Sequence, residues 1–302
     1  MGDTTNQHLE STGDTEEGVI KIDGFPLKYR IEGKGIPTLV IGSATYYPRI
    51  FSKNMRKHFR MVFIDHRGFV SPPGPVDKGA FELDVLLNDF EHIRKELGLE
   101  KVVVIGHSGH GYMALEYAKK YPKHVSHVVL IGLGPDHSQA SHDAADKYLS
   151  ESVSPARKTV LEENLKKLPA EIEANPDKRF VTFCLRMGAK SWYDYNFDAA
   201  DLWEGVEVNM QAIDHLWGKV FDDIDVTQGL ENFNIPVLLA LGRYDFLVAP
   251  PHTWEPIREK FHNLTVSVFE KSGHCPQYEE PELFDEHLLG WLSETSENLT
   301  QS

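Results

Sequence analysis

Cysteine is almost absent: Cys184 and Cys275 are far apart and lack metal-ligand spacing. That leaves no disulfide framework and suits a reducing compartment or a protein indifferent to redox state. Positive charge is also scarce, with 31 Lys and Arg against 46 Asp and Glu, a net charge of −15 and a pI near 5.4. Nucleic acids and anionic membranes favour basic patches, so neither is an expected partner. No apolar run approaches the roughly 20 residues that span a bilayer. Residues 1–17 contain no Lys or Arg and almost no apolar side chains. They lack the charged and apolar regions of a secretory signal and read as a disordered tail. Met1 and Gly2 hint at N-myristoylation, but Asn6 occupies the place that wants Ser or Thr. The sequons at Asn263 and Asn298 are expected to be idle, and the expected location is cytoplasmic.

What is present is enough apolar material, 41% of 302 residues, for one large core with an inserted subdomain. Apolar runs of strand length fall at 18–23, 27–32, 37–42, 60–65, 101–106, 127–132, 235–242 and 264–270. Several are nearly continuous Val, Ile and Leu, as expected of strands buried on both faces of a parallel sheet. Helical patterns lie between them at 81–97, 109–121 and 281–292. Strand-helix alternation of this kind predicts an α/β sheet with helices on both sides.

The alternation stops between about 134 and 232. There Trp203, Val206, Met210, Ile213, Trp217 and Phe221 recur at helical spacing, and Phe180, Phe183, Trp192, Tyr193, Tyr195 and Phe197 make the neighbouring stretch aromatic. The sequence therefore predicts a core of 18–133 and 233–293, a helical cap of 134–232 over the C-terminal edge of the sheet, and a C-terminal tail of 294–302. Most of these rings are expected to glue cap to core, with Trp192 and Trp217 among those lining a pocket.

The chemistry centres on Ser108. The β-branched run before it ends at Gly106, and a helix-forming stretch begins just after it. A serine at the tip of such a strand-to-helix turn has its hydroxyl pushed outward, beside the free N–H groups of a helix N-terminus. A serine hydroxyl needs a base, and the base needs an orienting group. Asp245 falls in the loop that leaves the run at 235–242, and His274 in the loop that leaves the run at 264–270. In open α/β sheets active groups gather at that edge. Asp222, Asp223 and Asp225 are the acids to test should Asp245 prove wrong.

Four landmarks in order carry a resemblance. Gly106, His107, Ser108 and Gly109 resemble a nucleophile elbow. Asp65, His66, Arg67 and Gly68, with Ser71, resemble the D-x-R-G-x-G-x-S turn of the α/β-hydrolase fold. Gly242 to Asp245 resemble its G-x-x-D acid loop, and Gly273 with His274 its histidine loop. The chain thus resembles an α/β-hydrolase-fold serine hydrolase with a helical cap over roughly residues 18–293. The resemblance implies that Ser108 attacks a carbonyl, His274 accepts its proton and Asp245 fixes the imidazole tautomer. It implies no cofactor and no metal.

Two features depart from that family. The elbow has His110 where a small residue is usual, and residues 41–45 read Ile, Gly, Ser, Ala, Thr where the family often has His-Gly-x. Backbone N–H groups serve as oxyanion donors, so Ala44 and Gly109 are the expected pair, with Ser43 the alternative by one residue. Ser43, Tyr46 and His110 are also candidate substrate contacts. His107 is expected to be a packed structural imidazole and Cys275 a buried bystander. The polar stretch 136–143 is expected at the cap entrance rather than around a metal.

A serine nucleophile argues against the haloalkane dehalogenases and most epoxide hydrolases of this fold, which use Asp there. The expected reaction is therefore hydrolysis of a small-molecule ester or lactone. The cap aromatics favour a bulky hydrophobic substrate, and the loop ending in Tyr46 and Tyr47 resembles that of the macrolide esterases. The alternatives are a prolyl-aminopeptidase-like amide hydrolase and a non-catalytic ligand receptor of the same fold. The sequence does not define the oligomeric state.

Overall fold

The computed structural model describes residues 15–301, with side chains up to 296. Eight strands form one sheet: β1 (Thr15–Ile22), β2 (Phe25–Glu32), β3 (Ile36–Gly42), β4 (Phe59–Asp65), β5 (Val102–His107), β6 (Val125–Ile131), β7 (Val237–Gly242) and β8 (Leu264–Phe269). Their order is β1-β2-β4-β3-β5-β6-β7-β8. β1 and β2 are a hairpin whose two-residue turn, Asp23 and Gly24, has positive φ at both positions, as such tight turns require. β2 also pairs antiparallel with β4, while the other pairings are parallel.

Every residue of β5 and β7 is buried, which explains their unbroken apolar sequence. Alternate residues supply opposite faces. Val102 and Val104 join the cluster under helices Leu83–Glu96 and Gly109–Lys120, with Phe90, Met113 and Tyr117. Val103 and Ile105 join the opposite cluster, with Phe284, Leu288 and Trp291 of helix Pro281–Gln301.

All eight predicted strands are present, and two boundaries need correction. Residues 15–17 of the expected tail belong to β1, where Thr15 pairs with Glu32 and Glu17 takes an ion pair from Arg30. Residues 1–14, with the myristoylation hint, lie outside the described residues. The expected tail 294–302 continues helix Pro281–Gln301 to residue 301, and the side chain of Asn298 lies outside the described residues.

The stretch between β6 and β7 is helical as expected, including Gln139–Ser152, Pro155–Ala174 and Arg179–Arg186. The helical spacing over 201–221 does not make one helix. A 3-10 turn, Ala200–Trp203, ends before Gly205 at φ 69°, and the helix restarts at Met210–His215. Asn209 sets that restart: its side chain accepts from Ala212 N, and its own N–H donates to Gly68 O at 2.9 Å. A π turn, Leu216–Val220, follows.

Candidate active site

Ser108 sits between β5 and helix Gly109–Lys120 at φ 56° and ψ −137°, a strained conformation for a side chain with a Cβ. The strain is held on both sides: Ser108 N–H donates to Ile131 O at 2.8 Å, and Gly111 N–H donates to Ser108 O at 2.8 Å. Gly106 lets the helix approach its strand, because a Cβ there would lie 2.2 Å from His110 O. The crowding that usually demands a small residue two after the serine therefore falls on Gly106, and the His110 side chain turns into the cavity.

The loops after β7 and β8 bring Asp245 and His274 together. The His274 Nδ1–H donates to Asp245 Oδ2 at 2.7 Å, both residues being buried. Asp245 Oδ1 is engaged by Leu247 N–H at 3.0 Å, which fixes the carboxylate plane. With Nδ1 protonated, Nε2 is left as the basic nitrogen. Among the described residues the Ser108 hydroxyl makes no hydrogen bond, so Ser108 and His274 share a cavity without being bonded. Without a ligand, a hydrogen bond between a nucleophile and its base is often long and tightens only with substrate in place. None of the alternative acids Asp222, Asp223 and Asp225 lines the cavity; Asp222 pairs with His137 and Asp225 caps Thr227.

The His274 loop is itself clamped. His274 N–H donates to Ser191 O at 2.6 Å. The Glu279 carboxylate accepts Gly273 N–H at 2.7 Å and Tyr193 N–H at 2.6 Å. Burial pushes the Glu279 carboxyl up to about 7, against the pull of these N–H groups. Sequence reading missed Glu279, which sits in an ordinary charged stretch with no motif to mark it.

The oxyanion register needs correction. Ala44 N–H donates to Asp65 Oδ1 at 2.7 Å, so it is already spent, and Ala44 is absent from the cavity wall. Ser43 and Gly109 both line the cavity, and among the described residues their N–H groups have no partner. The Ser43 hydroxyl instead accepts from Thr45 and Tyr46 N–H, each at 3.2 Å, shaping the turn. Burial pushes the Asp65 carboxyl up to about 7.

The cavity holds about 740 Å³ and opens over Ser108. It takes in every predicted contact: Ser43, Tyr46, His110, Trp192 and Trp217. The stretch between β6 and β7 adds Phe180, Phe183, Met187, Trp203 and Ile213, so most of the wall is apolar. Its polar lining includes Asp136, which accepts from Ser138 and Ser141, and Asp214, which pairs with Arg179. Cys275 is buried against His107, its Sγ 3.6 Å from Nε2, and burial raises its thiol well above the ordinary value. A buried neutral thiol is a poor nucleophile, consistent with a bystander.

Imidazoles surround the elbow. His107 packs on the His274 ring at 4.6 Å, and its Nε2–H donates to His274 O at 2.9 Å. His110 is 3.0 Å from His66, Nε2 to Nε2, and its Nδ1 lies 2.8 Å from Tyr47 Oη. Burial holds His66 and His107 well below the usual imidazole range and brings His110 down to about 3, so all three rings are neutral. His66 and Tyr47 are the other residues sequence reading missed as site members. Both fall in quoted motifs, His66 in the turn after β4 and Tyr47 in the loop after β3, but only the fold brings them to His110.

Residues 34–281 match the model of a family described as the alpha/beta hydrolase fold. The chain is 45% identical over 277 residues to the AB hydrolase superfamily protein YclE of Bacillus subtilis, covering 92% of this chain and 99% of that protein. It is 26% identical over 286 residues to the proline iminopeptidase PfmaB of Pestalotiopsis fici, covering 87% and 95% respectively. Among solved structures, the esterase EaEST of Exiguobacterium antarcticum superposes with a TM-score of 0.65 at 18% identity, covering 91% of this chain and 98% of that one.

Proposed function

The chain belongs to the α/β-hydrolase family, and from that premise we propose that it is a serine hydrolase cleaving a carboxylic ester or lactone through an acyl-enzyme intermediate. The observation that carries this reading is the buried Asp245–His274 pair at 2.7 Å, with His274 facing the same cavity as Ser108 on its strained turn. In this reading Ser108 Oγ attacks the carbonyl carbon as His274 Nε2 takes its proton. Negative charge gathers on the carbonyl oxygen between Ser43 N–H and Gly109 N–H. The intermediate collapses by breaking the bond to the leaving alcohol, which receives the proton from His274. Water then repeats the sequence on the acyl-enzyme and releases the acid.

The apolar wall favours a bulky hydrophobic substrate over a short acetyl ester. The finest form of this reading is a macrocyclic lactone of the macrolide class. A p-nitrophenyl ester series from acetate to long acyl chains, run with wild type and Ser108→Ala, tests the chemistry. Many turnovers by the wild type and none by the variant support it, whereas equal rates overturn it. Tylosin-type lactones that stay intact while aryl esters turn over would remove the macrolide form.

The likeness to a proline iminopeptidase keeps an amide-hydrolase reading as second choice. Against it, the cavity carboxylates Asp136 and Asp214 are already engaged and not free to hold a substrate amine. Turnover of proline p-nitroanilide above that of the esters would reverse the order. A ligand receptor of this fold would stall after about one equivalent of ester, which turnover counting separates from an enzyme.

A further inference from the structure

The two departures from the family pattern, His110 in the elbow and the loop of Ser43 and Ala44 without a histidine, meet in the structure. The proton positions along their contact follow from the partners. Gly68 N–H donates to His66 Nδ1 at 2.9 Å, so the neutral His66 carries its proton on Nε2. That proton is directed at His110 Nε2, 3.0 Å away, which must then accept. The His110 proton is therefore on Nδ1, between Tyr47 Oη at 2.8 Å and His107 O at 3.1 Å. The Tyr47 hydroxyl proton is left to the His107 side, where Nδ1 lies at 3.4 Å, and the His107 Nε2–H goes to His274 O. Every ring in the series has one allowed tautomer.

The series also joins separate loops. Tyr47 belongs to the turn carrying Ser43: its N–H donates to Ser43 O at 3.1 Å. Its ring covers Gly42, where φ is 145° and a Cβ would lie 2.1 Å from the Tyr47 ring. His110 belongs to the first turn of the helix that carries Gly109 N–H. The 2.8 Å contact from His110 to Tyr47 thus spans the gap between the two free amides.

We propose that His110, held by His66, is a positioning residue that ties the Tyr47 turn to the elbow helix and sets the spacing of Ser43 N–H and Gly109 N–H. This rests on reading those amides as the oxyanion hole. A histidine missing from one side of the hole is replaced by one on the other, and the two departures are one compensated change. Both ring nitrogens of His110 are engaged, Nδ1 by Tyr47 Oη and His107 O and Nε2 by His66, so although the ring lines the cavity it acts through the amides rather than by bonding substrate.

The test measures kcat and KM on a p-nitrophenyl ester for wild type, His110→Ala, His110→Asn, Tyr47→Phe and the His110→Ala/Tyr47→Phe double variant, with thermal midpoints as a folding control. Loosening the spacing without removing a donor is expected to lower kcat by about 10- to 100-fold, with KM changed less than about twofold. The double variant should be no slower than the worse single, and His110→Asn, which keeps an N–H near the Nδ1 position, should recover most of kcat. Unchanged kcat, a loss confined to KM, or additive losses in the double variant would each overturn the tie. Tyr47→Phe removes only an oxygen, so it decides the matter if His110→Ala fails to fold.

Should the wild type hydrolyse no ester faster than Ser108→Ala, the functional reading fails while the tie remains testable by imidazole ¹⁵N NMR. The expected spectrum has His110 protonated at Nδ1 and shifted by Tyr47→Phe. A His110 signal protonated at Nε2, or one indifferent to Tyr47→Phe, would overturn the proposal.

Discussion

The sheet edge and the segment over it are built by opposite rules. Ser108 and Asp245 follow β5 and β7, in which every residue is buried, while His274 follows the mostly half-buried β8. Hydrogen bonds fix all three, from Ser108 N–H to Ile131 O, from Leu247 N–H to the Asp245 carboxylate and from His274 N–H to Ser191 O. Between β6 and β7, helix Pro155–Ala174 buries only Arg157 and Leu161, and helix Arg179–Arg186 buries no residue fully. A close-packed interior resists small displacements, whereas a half-exposed helix repacks cheaply. The edge is thus suited to fixed chemistry and the overlying segment to a cavity of adaptable size.

The two regions are joined at 190–193. Lys190 O accepts from Phe246 N–H at 2.9 Å in the acid loop, and Ser191 O accepts from His274 N–H. The buried Arg157 guanidinium donates to the carbonyls of Ala189, Trp192 and Tyr193 at 2.6–2.8 Å, holding that junction from the other side. Motion of the overlying segment, if it accompanies binding, is expected away from this seam.

Four substitutions would sharpen or break the contrast. His274→Ala should show the largest effect, a fall in kcat of about 10⁴- to 10⁶-fold with KM little changed, read in a steady-state ester assay. Loss in KM alone would place the residue in binding. Asp245→Asn should fold with an unaltered thermal midpoint and lose about 10³- to 10⁴-fold in kcat, since the amide no longer holds the Nδ1–H tautomer. Full activity would mean that another acid serves His274.

In the overlying segment, Phe180→Ala should act on size. We expect kcat/KM for long-chain esters to fall about tenfold while acetate hydrolysis changes less than about twofold, and an equal loss on both would make Phe180 part of the fixed edge.

The smallest effect concerns the seam. The Glu279 carboxyl is raised from 4.5 to about 7 by burial, so its charged form is the one the fold disfavours. Its contribution to stability is full below its unfolded value of about 4.5 and is lost as pH rises through about 7. Glu279→Gln does not titrate, so the midpoint gap between wild type and variant should shrink from pH 5 to pH 8. A gap that is constant, or that widens with pH, contradicts this.

The same contrast explains what could be read in advance. Strands such as β5 and β7 were legible because burial on both faces leaves an apolar run, and the candidate residues Ser108, Asp245 and His274 because each follows a run of strand length at one edge of the sheet. Ala44 was misassigned because its N–H is taken by Asp65 from the neighbouring β4, a contact that local sequence does not encode. Thr15 to Glu17 read as tail because a charged edge strand has no apolar signature, although pairing with β2 orders it. Residues 294–301 lack a continuous apolar stripe, yet they extend a helix already anchored by Phe284 and Leu288. The break at 204–209 was hidden because apolar spacing continues across it while Gly205 and Asn209 interrupt the backbone.

The central claim, that Ser108 is the nucleophile, is tested most directly by treating the protein with a fluorophosphonate and mapping the adduct by peptide mass. The account predicts one adduct per chain, on Ser108, with ester turnover lost in proportion to labelling and no label on Ser108→Ala. An adduct on another residue such as Cys275, or turnover that survives complete labelling of Ser108, would contradict it.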